Sequence, residues 1–344
     1  MRSSRNPPNP YRYLAIAAVL GLFLAGCTVV GPSAIRSGRL AYNAAINETN
    51  SQQMLMSVIQ HRYEETGSLL AVTSVTANVS VTTSTGIQLG FGDKENYSGN
   101  LVPFSAGTVY EENPTISYAP AVGAEYAQRV FAPVPLTMLA QMTGTLADPG
   151  YVYEALVSSV NGIQNPDFRF SAADPDPRFR RFVALMTTLT QANRLHWIEP
   201  PGQPGGFSIV INRHVPAYTA EVRELLGLLG LRASMARSSR VVVPVFLAVD
   251  ARDSEGLAII TRSVADLIEM LSAAIDVPEE DLRSGAASTY PPLGLAGRGL
   301  RIHRSNTRPE RATVAVQHHG SWFYIDETDR ATKRFFRLTS ALWS

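Results

Sequence analysis

The sequence predicts an α+β fold of mixed, mainly antiparallel sheets packed with amphipathic helices, and three observations predict it. Apolar residues recur on one helical face at Met54, Leu55, Val58, Ile59 and Tyr63, and again at Val264, Leu267, Ile268, Leu271 and Ile275. The odd positions are Ala71, Thr73, Val75, Ala77, Val79 and Val81, while the even ones from Ser74 to Thr82 are Ser, Thr or Asn, the period of a strand with one buried and one hydroxyl-rich face. Strands and helices follow one another in mixed rather than strictly alternating order, which disfavours a doubly wound parallel sheet.

The chain begins with Arg2, Arg5 and Arg12 and has no acidic residue before Glu48. The apolar run Leu14 to Leu24 follows, eleven residues that span about 16 Å as a helix against a hydrocarbon core of about 30 Å. It is too short for an ordinary membrane span and fits a cleaved secretory leader over residues 1 to 26. Leu24-Ala25-Gly26-Cys27 ends the run on the chain's single cysteine. This resembles the lipobox of bacterial lipoproteins, which implies diacylglycerol on the Cys27 sulfur and a further acyl chain on its amino group. Several acyl chains exceed what stable anchoring needs, at about 0.8 kcal/mol per buried methylene. Thr28 rather than aspartate after the cysteine points to the outer membrane, periplasmic face, in a diderm host.

Removing residues 1 to 26 from the 344 leaves 318, enough for one large or two medium domains. The leader takes three arginines and no acid, so 27 basic and 29 acidic residues remain, net −2, which implies neither a nucleic-acid nor a polyanion partner. With one cysteine, intrachain disulfides are excluded.

Along the mature chain, residues 36 to 65 read as a long helix whose first half is too polar to be buried all round and faces water or a partner. The alternating strand is followed, past Ser84-Thr85-Gly86, by Ile87, Leu89 and Phe91 in the same phase, as a second strand or a bent continuation. Pro114 and Pro120 force extended geometry on Asn113 and Ala119 and predict a short strand, Thr115 to Tyr118, between turns. Helices are predicted over 123 to 131, from Pro135 through Met142, over Tyr151 to Ile163, and from about Arg178 to Leu195 with Asp174 and Asp176 as capping residues. The run Pro200 to Gly206 interrupts regular structure and marks the best internal boundary, between an N-terminal α+β region at 27 to 200 and a C-terminal one at 207 to 344, although it also fits a long loop within one domain. Beyond it lie extended segments at 207 to 211, 241 to 249 and 257 to 262. Pro244 argues for a bulge or an edge in the second of these. Thr219 and Ser263 are candidate helix caps, a hairpin turns around His318-His319-Gly320, and a closing helix carries Phe335, Phe336, Thr339, Leu342 and Trp343.

Tyr110-Glu-Glu-Asn-Pro-Thr-Ile-Ser-Tyr-Ala-Pro120 and Trp322-Phe-Tyr-Ile-Asp326 resemble a family of uncharacterised proteobacterial lipoproteins over most of the mature chain. The resemblance implies an envelope lipoprotein and carries no activity, ligand or catalytic residue.

Chemistry-bearing patterns are sparse. The six histidines, His61, His196, His214, His303, His318 and His319, have no metal-ligand spacing. Adjacent His318 and His319 would point to opposite faces of a strand or into solvent from a turn. The acidic groups Glu111-Glu112, Asp174/Asp176, Asp250/Asp253/Glu255 and Glu279-Glu280-Asp281 read as caps and solvated loops. The glycines at 86, 90 and 92 and at 294, 297 and 299 match no dinucleotide fingerprint. No catalytic, cofactor or metal residue is assigned, and Cys27 is the single site residue. The sequence reading favours a non-enzymatic, membrane-anchored scaffold or assembly component with envelope protein partners. Its alternatives are a hydrolase or transferase acting on peptidoglycan, glycan or lipid through paired carboxylates, and a periplasmic carrier of an apolar ligand.

Overall fold

A computed structural model describes residues 40–66, 70–87, 104–120, 123–146, 148–166, 176–200, 202, 206–212, 218–231, 240–247 and 256–343. Residues 1 to 26, read above as a leader, and Cys27, Asp174, His214 and the acidic group at 250 to 255 lie outside the described residues. The fold is α+β, and the chain divides into two compact units, one formed by Ser68–Gln128 and the other by the remainder.

The smaller unit is a two-stranded antiparallel ribbon of β1 (Leu70–Ile87) and β2 (Phe104–Pro120). Its register runs from Leu70 opposite Pro120 to Ile87 opposite Phe104, with one irregularity between Val72 and Ser74. β1 passes through Ser84-Thr85-Gly86 without a break, as the bent-continuation reading allowed. The short strand expected at Thr115 to Tyr118 is instead the end of a 17-residue strand that runs through Pro114, paired with Ala77. A proline forces its predecessor to be extended, which a strand already satisfies, and every strand of a two-stranded ribbon is an edge strand. Helix α2 (Ala124–Phe131) follows.

In the larger unit, α1 covers residues 40–62. Its anticipated apolar face is buried, with Leu55, Val58 and Ile59 fully inaccessible, each contributing roughly 1.5–3 kcal/mol. Its polar first half is exposed. Two bonds fix it to the far end of the chain: Ser272 Oγ donates to the Val58 carbonyl at 2.8 Å and Ser340 Oγ to Met54 Sδ at 3.4 Å.

Helix α3 (Leu136–Thr145) and helix α4 (Pro149–Leu156) precede β3 (Val157–Val160) and β4 (Ile163–Gln164). The single helix expected over Tyr151 to Ile163 therefore ends at Leu156. Val157-Ser-Ser-Val160 is a strand, and Asn161 and Gly162 turn the chain with φ of 44° and 77°, the paired positive values of a type I′ hairpin. Helix α5 (Pro177–Gln191) is capped by Asp176, whose carboxylate accepts from Arg178 N, and it buries Phe179 and Phe182.

A six-stranded sheet has the order β4-β3-β8-β7-β6-β5, where β5 is Leu195–Ile198, β6 Phe207–Asn212, β7 Arg240–Leu247 and β8 Leu257–Thr261. All neighbours are antiparallel except β7 and β8. β5 and β6, on the two sides of residues 200 to 206, pair residue for residue in one sheet, as the alternative of a loop within one domain allows. Proline and glycine mark a break in regular structure, and a hairpin connection has the same composition as a linker. The ladder to β8 begins at Val245, one residue past Pro244, so the proline sits in a central strand.

Helix α6 (Thr219–Leu228) starts after Tyr218 without a side-chain cap, so Thr219 is inside the helix rather than its cap. Helix α7 (Val264–Ala273) is closed by the reciprocal capping box of Ser263 and Asp266 and buries Val264, Leu267, Ile268 and Leu271. Short helix α8 (Glu279–Ser284) follows. A three-stranded antiparallel sheet, β10-β11-β9, is built from β9 (His303–Ser305), β10 (Ala312–His318) and β11 (Ser321–Asp326). Closing helix α9 (Arg330–Trp343) buries Phe335, Phe336 and Thr339, as its spacing predicts.

Buried Arg262 joins the two halves of this unit. Its Nη1 donates to the carbonyls of Glu154, Ala155 and Val157 at 3.0 to 3.1 Å, and its Nη2 to that of Asn165 at 2.7 Å. A cation thus closes the C-terminus of α4, where the helix dipole is negative.

Candidate functional sites

The first candidate forms where α1 ends against the β10–β11 turn. Glu64 adopts φ of 55°, while Glu64 N donates to His61 O and Glu65 N to Gln60 O. This is a Schellman ending with glutamate in the left-handed position that glycine usually fills. The bend turns Glu65 back toward the hairpin. There His319 and Gly320 take φ of 46° and 78°, the type I′ pair that a two-residue hairpin requires.

The positive φ at His319 overturns the expectation that the adjacent rings diverge. His318 and His319 stack with centroids 3.9 Å apart and planes at 21°. Both reach one carboxylate: His318 Nε2 lies 2.8 Å from Glu65 Oε2 and His319 Nε2 3.0 Å from Oε1. Tyr63 forms a wall at 5.1 and 5.5 Å from the two rings, and its hydroxyl donates to Asp281 Oδ2 at 2.7 Å. Burial and then that hydrogen bond raise the Tyr63 phenol, which keeps it protonated. The His318 side chain is 8% exposed and that of His319 63%, so the cluster has a closed side and an open one. His318 Nδ1 is buried and has no hydrogen-bond partner among the described residues.

The second candidate is a cleft of about 390 Å³ lined by Asp148, Tyr151, Glu154, Arg180 and Thr187, among others. Asp148 caps α4 through Tyr151 N and pairs with Arg334 Nη1 at 2.9 Å. Arg334 also lies 3.7 Å over the Tyr151 ring. Burial, and then the Asp148 charge, raise the Glu154 carboxyl. Two carboxylates therefore share a cleft with one of them held up, the feature asked of a hydrolase, although Arg180 and Arg334 pull Glu154 back toward ionisation. A second cleft of about 570 Å³ is lined by Asn47, Glu48, Ser51, Gln52 and residues of the 308–315 segment. Neither of these two clefts is predominantly apolar, the lining that an apolar ligand favours.

Of the other sequence-stated groups, Glu111 and Glu112 lie in β2, Asp176 caps α5, and Glu279 to Asp281 form the first turn of α8. His61 ends α1 and His196 lies in β5. His303 stacks on Tyr324 at 5.3 Å, away from the histidine pair in register. Residues Val242, Phe246 and Leu247 of β7 are exposed among the described residues. No helix among the described residues is long and apolar enough to cross a membrane. Compared with protein-family models, with curated proteins and with solved structures, the chain matches none.

Proposed function

We propose that this chain is an outer-membrane lipoprotein, anchored through Cys27 on the periplasmic side, that acts as an assembly component by pairing its β-ribbon with an envelope protein. The leader sequence supports the anchor. The observation that carries the assembly role is the ribbon itself, with seventeen registered pairs and a length of about 60 Å at roughly 3.3 Å per residue. A lone two-stranded hairpin is marginal in water and needs further strands or a packed face.

The two edges differ. β2 carries Glu111, Glu112 and Pro114, residues that discourage strand addition, whereas β1 contains neither a charged residue nor a proline over its 18 residues. The undefended edge is therefore that of β1. Strand addition there supplies main-chain hydrogen bonds as affinity, with the alternating side chains as specificity.

The test is a gentle detergent pull-down of the tagged full-length protein beside Cys27→Ser and beside a chain whose residues 70 to 120 are replaced by a short Gly/Ser linker. Stoichiometric partners that disappear with the ribbon replacement, and fall with Cys27→Ser, support the reading. A protein recovered alone from every sample refutes it and returns attention to the Asp148/Glu154 cleft.

A further inference from the structure

We infer that Glu65, His318 and His319 form a binding site for a divalent transition metal of the zinc class. One ligand atom from each residue can be chosen so that all three lie within 4.8 Å of one another. An ion held tetrahedrally at 2.0–2.1 Å from each ligand sets its donors about 3.3 Å apart. The two short contacts, at 2.8 and 3.0 Å, run from the two imidazoles to different oxygens of Glu65, so an ion between the three side chains draws together donors that already lie within 4.8 Å of one another. Two imidazoles and one carboxylate suit zinc, copper or nickel rather than magnesium or calcium, which take oxygen ligands.

Two features beyond the cluster itself point to a ligand. Among the described residues, four non-glycine positions have positive φ, and two of them, Glu64 and His319, are at this site. The Schellman ending of α1 and the type I′ turn thus bring donors from two distant parts of the chain to the same point. The second feature is the one-sided opening. His318 is walled by Tyr63 and by Phe323 at 6.3 Å, while His319 faces solvent. Three protein ligands with an open fourth position leave room for water or for a group on a partner.

The site also predicts its own weakness. A histidine that ligates through Nε2 carries its proton on Nδ1, and the Nδ1 of His318 is buried with no acceptor among the described residues. Loss of such a supporting bond weakens metal affinity about 10- to 100-fold.

The experiment is calorimetric titration of the metal-free full-length protein in detergent with zinc chloride, repeated by visible absorption with cobalt chloride. Binding of one equivalent is expected, with a tetrahedral cobalt spectrum. His319→Asn keeps a residue that tolerates the left-handed turn and removes the imidazole, and Glu65→Gln keeps the shape of the carboxylate. Each is expected to weaken binding at least about tenfold, while His303→Asn leaves it unchanged. Absence of saturable binding by about 100 μM metal, or binding that survives both cluster variants, overturns the assignment. If His319→Asn melts early without metal, Glu65→Gln alone decides, because its side chain keeps the hydrogen-bonding shape of the original.

Discussion

Replacing Arg262 by methionine removes the fully buried guanidinium and keeps much of its aliphatic volume. Four carbonyls lose a donor. Two of them, those of Glu154 and Val157, keep the Asn165 side-chain amide at 2.9 and 2.7 Å. The carbonyls of Ala155 and Asn165 lose their charged partner with no second side-chain donor described. A buried polar group stripped of its partner costs about 1–3 kcal/mol, and losing the cation at the end of α4 adds about 0.3–2 kcal/mol. Arg262→Met is thus expected to lose about 3–5 kcal/mol, a large part of the 5–15 kcal/mol typical of a folded domain. Arg262→Lys keeps a charge with fewer and less spread donors and should lose about half as much. The assay is equilibrium urea unfolding followed by circular dichroism, in a Cys27→Ser background that avoids detergent. At a slope of about 2–3 kcal/mol per molar urea, the midpoint of Arg262→Met should fall by roughly 1–2 M. A loss below about 1 kcal/mol at unchanged slope would falsify the claim that these carbonyls depend on Arg262.

Three further outcomes follow from other elements. The folded-state Glu154 carboxyl is raised, so its contribution to stability is present below the unfolded carboxylate range and is lost as pH rises through the folded value. Glu154→Gln should therefore melt higher than the parent at neutral pH and equally at acid pH; equal melting at both would remove the burial argument. Asp176→Ala deletes the cap of α5 and should cost about 1 kcal/mol in urea unfolding; since the Asp176 carboxyl is lowered by Arg178, the loss should shrink as pH falls through that range. Lysines at Thr76 and Ser80 of β1 should abolish partner recovery in the pull-down while the unfolding midpoint stays put, and unchanged recovery would move the docking edge elsewhere.

What could be read from the sequence was what neighbours along the chain decide. The apolar face from Met54 to Tyr63, the Ser263 cap, the hairpin at 312 to 325 and the face of α9 depend on spacings of a few residues, and each is found. The turn at Asn161-Gly162 was equally legible, since that pair favours a type I′ hairpin, but the helical spacing of Tyr151 to Leu156 ran over it. The histidine cluster was not legible in full. The turn residues His319-Gly320 hinted at a left-handed bend that would fold the second ring back, yet their acceptor, Glu65, lies more than 250 residues away. Arg262 is a plainer case. Its partners are main-chain carbonyls, which every residue has, so no side-chain pattern announces a buried cation.

The order of strands bears on when this chain can fold. β3 pairs with its own hairpin mate and then with β8, a hundred residues later, while α1 is fastened by residues of α7 and α9. α1 and β3 therefore each wait for a late element, and those contacts must close long loops before they stabilise the unit, which slows folding. A ribosome that releases this chain from its N-terminus holds, until the last helices emerge, an α1 and a β3 that still lack these partners.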